Sequence, residues 1–233
     1  MFPLRDDQPC YSTPYVTYFL IALNLLIYLW EWWTELTNPG ALNALIRQFG
    51  VIPHLDAGLL LGTPKFAPGL AILAMCTSMF LHGGWPHVLG NMWMLGIFGD
   101  NIEDYLGHFP YLVFYLVCGL AAAVTHIAFN LTSRVPTIGA SGAIAGVMGA
   151  YLILYPRARV LVWIFILVIY VPAWLMLIVW LISQLANGAA VSIETATQGG
   201  GVAFWAHVGG FVAGIVLVKL FPQRRQRERY AAW

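Results

Sequence analysis

Several apolar stretches of about 20 residues, almost free of charged side chains, run through this 233-residue chain. A stretch of that length can cross a hydrocarbon core of about 30 Å as an α-helix. Of all residues, 60% are hydrophobic and 9% are charged, whereas an ordinary soluble domain has about 25% charged residues. The chain is therefore predicted to be an all-α, polytopic membrane protein embedded in a lipid bilayer.

Prolines, glycines and acidic residues divide the apolar sequence into six predicted transmembrane helices, which would form one bundle. Their approximate bounds are 15–33, 86–98, 111–131, 141–155, 160–185 and 202–221. The first outer loop, residues 34–80, carries apolar residues at helical spacing, which predicts short amphipathic helices at the membrane interface. The predicted division is an N-terminal segment 1–14, a helical domain 15–221 and a basic tail 222–233.

The basic residues are distributed unevenly between the two sides of these predicted spans. Eight Lys and Arg residues lie on the side of the N and C termini, and three lie on the opposite side. The positive-inside rule then predicts that both termini are cytosolic. Without a visible targeting extension, a bacterial inner (plasma) membrane is the simplest location, and an organelle stays an alternative.

A serine opens the fourth apolar segment, in the string Gly139-Ala140-Ser141-Gly142. Taken alone, Ser141 fits a helix serine that bonds to its own backbone. His207, however, interrupts the sixth segment, and an ionisable side chain at membrane depth is costly and usually functional. Glycines four residues apart in both segments would let the two helices approach closely enough for a hydrogen bond between the side chains. These glycines are Gly142, Gly146, Gly210 and Gly214.

Polar residues also gather where the second segment begins, at His82, His87 and Asn91. With Pro86 at the first helical position, His87 falls in the first turn and Asn91 one turn deeper on the same face. Two neutral donors that point into one pocket are what the stabilisation of an oxyanion requires. Because no cysteine or carboxylate accompanies the histidines, neither a metal site nor a cofactor is predicted.

With these residues in place, the chain resembles the rhomboid family of intramembrane serine proteases over nearly its whole length. The resemblance rests on three motifs in order along the chain, namely the run from His82 to Asn91, the string 139–142, and His207 followed by Gly210 and Gly214. It implies a six-helix bundle that contains a catalytic Ser/His dyad.

The resemblance also implies a role for each site residue. Ser141 would be the nucleophile and His207 the general base, while His87 and Asn91 would hold the oxyanion together with the backbone N–H of Ser141. The supporting positions are His82, Gly139 and Gly142. Ala145 stands where some members carry a tyrosine that packs on the catalytic histidine, and the Trp-Arg pair that many carry before the second helix is missing from residues 70–80. Since no acidic partner is visible, we expect packing alone to orient His207.

The predicted substrates are single-pass transmembrane proteins, cut near the outer ends of their spans, where small or helix-breaking residues ease local unwinding. The glycine-containing loop 186–201 is the predicted lid that admits them. No nucleic acid or metal is expected as a partner. Two alternatives stay open: a proton-coupled carrier that uses the histidines as a relay, which leaves Ser141 without a role, and a non-catalytic rhomboid-like scaffold.

Overall fold

The structure is a computed structural model that describes residues 2–61, 68–194, 203–221 and 223. Within these residues the chain forms nine α-helices and three β-strands. The helices are α1 (Tyr15–Thr37), α2 (Ala41–Phe49), α3 (Pro53–Leu61), α4 (Pro68–Ser78), α5 (Trp85–Leu106), α6 (His108–Phe129), α7 (Ser141–Leu154), α8 (Ala173–Glu194) and α9 (Phe204–Leu217). The strands are β1 (Phe2–Asp6), β2 (Arg159–Ile164) and β3 (Leu167–Pro172).

Helix α7 lies at the centre of the bundle. Every residue from Gly142 to Tyr151 is buried, because this stretch consists mainly of small and apolar side chains that let other helices approach from all sides. Helices α5, α6, α8 and α9 contact it. The closest approach is to α9, where a Cβ added at Gly210 would lie 1.9 Å from the carbonyl oxygen of Gly142. The two helices therefore touch through their backbones.

Three of the described helices are long and apolar enough to cross a membrane, namely α1, α6 and the Ala173–Ala190 part of α8. Their outer surfaces carry large exposed apolar side chains, such as Phe19, Leu26 and Ile182, which suit contact with lipid. This confirms the prediction of a mostly helical chain with several apolar helices of membrane-spanning length. Helices α7 and α9 have 14 residues each, so they are about 21 Å long.

Residues 160–185 do not form the single helix predicted for the fifth span. The prediction of an all-α fold is also wrong in this detail, because the mostly helical chain contains a small β-sheet. Its first half forms β2 and β3, which pair antiparallel, and β1 pairs antiparallel with the other edge of β2. The segment is rich in β-branched and aromatic residues, and Val160 and Val162 are buried in alternation with more exposed neighbours. An apolar run by itself does not distinguish a strand from a helix. The helix, α8, begins only at Ala173.

The N-terminal segment, predicted as a separate stretch of residues 1–14, is joined to the sheet through β1. Helix α5 also continues past its predicted end at residue 98, and its last turns contain the buried Glu103. This carboxylate accepts hydrogen bonds from the backbone N–H groups of Val16 at 2.9 Å and Thr17 at 2.7 Å. Because α1 has no side-chain cap of its own, Glu103 supplies the acceptors that a helix N-terminus needs.

Between α1 and α5 the chain passes through the short helices α2, α3 and α4. Residues 62–67 of the predicted first loop lie outside the described residues. Val51 and Thr137 exchange backbone hydrogen bonds of 3.0 and 2.7 Å, which tie this region to the turn that precedes α7. In the predicted lid, residues 186–194 continue α8, and residues 195–201 lie outside the described residues, as does the basic tail except Gln223.

Candidate active site

Ser141 is the first residue of α7 and is half-buried. The turn before it depends on Gly139, whose φ of +119° is a backbone conformation that favours glycine. A Cβ at this position would also lie 2.6 Å from Nε2 of His87. Glycine is therefore required both for the turn and for the close approach of the histidine ring, and the turn leaves the Ser141 hydroxyl at the N-terminal end of the central helix.

His207 lies in the first turn of α9, and only 8% of the residue is exposed. Its Nε2 is 2.7 Å from Oγ of Ser141, which is a normal hydrogen-bond distance. The two side chains are 66 residues apart in the sequence. They meet because each opens one of two helices whose glycines allow backbone contact. The structure thus brings together the predicted nucleophile and the predicted base.

Two residues of α8 contact the other side of the His207 ring. Oε1 of Gln184 is 2.7 Å from Nδ1 of His207, and the Trp180 ring lies 5.7 Å from the imidazole, centroid to centroid. Gln184 is 8% exposed. The expectation that packing alone orients His207 is therefore wrong, because a hydrogen bond is also present. Trp180 packs on the His207 ring from α8. The tyrosine that some family members carry at the position of Ala145 would instead pack from α7.

Sequence reasoning missed Gln184, although a signal was present. Its side chain is polar and stands in the apolar segment 173–185, where polar groups are rare and usually face the protein interior. Long apolar segments are typical of helices that face lipid, so a single polar residue within one is easily passed over.

The cluster predicted at the start of α5 is assembled around His82, which is fully buried. Burial lowers the pKa of His82 to about 4, so the ring is neutral. Nδ1 of His82 lies 3.3 Å from the carbonyl oxygen of Phe80, which can only accept, so Nδ1 carries the proton. Nε2 then accepts a hydrogen bond of 3.0 Å from Nδ2 of Asn91. The His82 and His87 rings pack edge to face with centroids 5.1 Å apart.

A buried carboxylate holds this cluster from the side of α1. Glu31 is 0% exposed, and its Oε2 accepts a hydrogen bond of 3.2 Å from the backbone N–H of His82. Sequence reasoning missed this residue as well, because Glu31 stands between Trp30 and Trp32 near the end of the first predicted span, where tryptophans usually mark the membrane interface and a charge is common. It fixes the backbone from which His82 reaches Asn91.

One cavity of about 550 Å³ connects these groups. Ser141, His207, His87 and Asn91 all line it, and its walls come mainly from α5 and α8. Phe2 and Pro3 of β1 line it too. Among the residues that the structure describes, no three His, Cys, Asp or Glu side chains are grouped closely enough to hold a metal ion. The arrangement offers a hydroxyl, a hydrogen-bonded imidazole and an amide donor in one cavity.

Comparisons with known proteins show which proteins the chain is similar to. The family model described as the Rhomboid domain matches residues 71–224. Rhomboid protein 1, mitochondrial, of Saccharomyces cerevisiae is 28% identical, covering 69% of this chain and 46% of that protein. The mouse presenilin-associated rhomboid-like protein, mitochondrial, is 27% identical over 79% of this chain and 50% of its own length. RHOMBOID-like protein 6, mitochondrial, of Arabidopsis thaliana is 28% identical over 60% and 51%.

These relatives correct the predicted location. All three are named as mitochondrial proteins, so the prediction of a bacterial inner membrane is wrong. That prediction was based on the lack of a visible targeting extension. The chain spans about half the length of the curated relatives it matches, and where it begins therefore says nothing about location.

Proposed function

This chain belongs to the rhomboid family, and on that premise we propose that it is an intramembrane serine endopeptidase with Ser141 as nucleophile and His207 as general base. The observation that carries the proposal is the 2.7 Å contact between Nε2 of His207 and Oγ of Ser141. A nucleophile and a base within hydrogen-bond reach, with a third group orienting the base, form the constellation of nucleophilic catalysis. A carrier or a scaffold has no need of that contact.

The membrane-crossing helices in this proposal are α1, α5, α6, α7, α8 and α9. Helices α7 and α9, at about 21 Å each, are too short to reach both faces of a hydrocarbon core of about 30 Å. Their N-terminal ends, which carry Ser141 and His207, would then lie below the outer surface. Irregular backbone at that depth is tolerated only inside protein or along a water-filled cavity, and Ser141 and His207 line the cavity of about 550 Å³.

The reaction would begin when Nε2 of His207 takes the proton of the Ser141 hydroxyl. The Ser141 oxygen attacks the carbonyl carbon of a substrate peptide bond, and the proton then passes from His207 to the leaving amine. Water, activated by the same imidazole, hydrolyses the resulting ester and frees Ser141. The positive end of the α7 dipole lies at Ser141, so it favours the negative charge that develops there.

The donors for that charge would be the backbone N–H of Ser141, His87 and Asn91. The N–H of Ser141 lies in the first turn of α7, where N–H groups have no partner within the helix. Nδ2 of Asn91 has two protons, and His82 accepts one of them. The other proton is available to an oxyanion in the cavity. The bond to His82 would hold the Asn91 amide in place before the substrate arrives, as electrostatic preorganisation requires.

A single-pass transmembrane protein is the proposed substrate. Its helix would unwind locally so that an extended segment enters the cavity between α5 and α8.

The names of the relatives support a mitochondrial membrane as the location. Fractionation of the cells that produce this chain, followed by immunoblotting against mitochondrial markers, tests the location.

Covalent labelling tests the proposed function. Detergent-solubilised protein is treated with a fluorophosphonate, and peptide mass spectrometry locates the adduct. We expect the adduct on Ser141, because the reagent reacts with a hydroxyl activated by a base. The His207→Ala variant should label far more slowly. A folded wild-type protein, verified by circular dichroism, that forms no adduct would contradict the proposal and favour a scaffold or carrier.

Replacing Asn91 by alanine is expected to lower kcat/KM about 10²–10³-fold, the usual effect of losing one oxyanion donor. The measurement is cleavage of a single-pass substrate by purified protein in liposomes. Asn43→Ala is the matched control, because Asn43 is exposed on α2, and it should cleave at the wild-type rate. Wild-type cleavage by Asn91→Ala would remove this residue from the site.

A further inference from the structure

We propose that Gln184 is a positioning residue that holds His207 in the tautomer with its proton on Nδ1, so that the bare Nε2 faces Ser141. The proposal rests on the proposed function, since only a general base requires one tautomer. It adds a third member to the pair of catalytic side chains, contributed by α8.

Hydrogen bonds link the backbone carbonyl of Trp180, the Ser183 hydroxyl, the Gln184 amide and the His207 ring, in that order. The carbonyl at the start of this series determines which group donates in each bond. Oγ of Ser183 is 2.6 Å from the carbonyl oxygen of Trp180, and a carbonyl oxygen can only accept. The single hydroxyl proton of Ser183 therefore points at Trp180. Toward its other neighbour, the side chain of Gln184, the Ser183 oxygen can only accept.

This fixes the orientation of the Gln184 amide. The atom of Gln184 that lies 3.1 Å from Oγ of Ser183 must be the donor, Nε2, so the amide oxygen is the atom that faces His207. That oxygen is 2.7 Å from Nδ1 of His207. Since an amide oxygen cannot donate, Nδ1 must carry the proton. A neutral imidazole has one proton, so Nε2 is left with a lone pair to accept the Ser141 hydroxyl proton.

Burial makes this selection effective. Gln184 and His207 are each 8% exposed, and Gln184 contacts Nδ1, whereas the Nε2 atom of His207 contacts Ser141, so water has little access to the bond between Nδ1 and the amide oxygen. The opposite tautomer would set the lone pair of Nδ1 against the lone pairs of the amide oxygen, and it would turn an N–H toward Ser141. Leaving a buried polar group without a partner is costly, so this tautomer is disfavoured. Packing against Trp180 restrains the plane of the ring, but it does not distinguish the two nitrogens.

The test compares variants that keep or remove the acceptor oxygen. Gln184→Met has similar length and no acceptor oxygen. We expect kcat to fall about 10- to 100-fold with KM nearly unchanged, the scale known for losing an outer hydrogen-bond partner of a functional histidine. Gln184→Glu keeps an oxygen at the same place and should recover kcat at high pH. Its acidic limb of the pH–rate profile should move to higher pH, because a carboxylate favours the protonated imidazole. Gln48→Met, at an exposed position of α2, is the matched control.

A spectroscopic readout makes the result independent of catalysis. Long-range ¹H–¹⁵N spectra of histidine-labelled protein distinguish protonated from bare ring nitrogens, and the His207→Ala spectrum identifies the His207 signals. We expect Nδ1 protonated in the wild type and in Gln184→Glu, and a mixture of tautomers in Gln184→Met. Ser183→Ala, which frees the amide to rotate, should shift the tautomer in the same direction and serves if Gln184→Met does not fold.

The two proposals fail in different ways. A folded wild type that neither cleaves nor labels would sink the proposed function, whatever its tautomer. If the wild type cleaves while Gln184→Met keeps the wild-type kcat and a single Nδ1-protonated tautomer, the protease stands and the role of Gln184 is refuted. A wild-type His207 protonated on Nε2 would also refute it.

Discussion

Cleavage of a single-pass substrate should fall to the background rate when either Ser141 or His207 is replaced by alanine. In serine proteases the loss of such a residue reaches about 10⁶-fold in kcat. The reason is that the hydroxyl and the imidazole, 2.7 Å apart, act as one unit, since an unpaired serine is a weak nucleophile. The measurement is the initial rate of product formation in liposomes.

The double variant sharpens this prediction. Because each residue depends on the other, Ser141→Ala combined with His207→Ala should be no slower than either single variant. Independent roles would instead make the losses multiply. Circular dichroism should show a folded, helical protein in all three variants, since Ser141 and His207 both line a cavity. Substantial cleavage by Ser141→Ala would show that another group attacks the substrate.

The Ser141 and His207 pair could be predicted because each residue is unusual where it stands. An imidazole within an apolar segment is costly, and a serine flanked by glycines marks a place where helices approach closely. These signals depend on local sequence and survive errors elsewhere in the fold. The misplaced start of α8, at residue 160 instead of Ala173, therefore did not disturb them.

The partners of these residues could not be predicted in the same way. The polar side chain of Gln184 indicates that it faces protein, but the group that it meets depends on how α8 is rotated against α9. The large apolar side chains of residues 174–182 carry no sequence pattern that sets this rotation. The strands within residues 159–172 were missed for a related reason. Strand β1 pairs with β2 and so favours the extended conformation of that segment. The paired residues are more than 150 positions apart in the sequence. Long-range pairing of this kind leaves little trace in local composition.

Replacing Gly214 by alanine should strongly destabilise the protein. A Cβ there would lie 1.9 Å from the carbonyl oxygen of Gly146 and 2.6 Å from its carbon. Both atoms belong to the backbone of a helix, so no side chain can turn aside, and α9 must move away from α7. We expect a loss of about 3 kcal/mol, at the upper end of the range for overpacking, measured as the shift in denaturant-induced unfolding in a fixed detergent.

Gly96→Ala is the matched control, because its new Cβ would meet only Cδ1 of Ile21, at 3.9 Å, an ordinary contact distance. This change should be neutral or stabilise α5 by up to about 1 kcal/mol. Gly214→Ala should also cleave more slowly when folded, because a displacement of about 1 Å can cost about 10²-fold in rate. Equal stability and equal rates for the two variants would mean that backbone contact between α7 and α9 does not set the distance between Ser141 and His207.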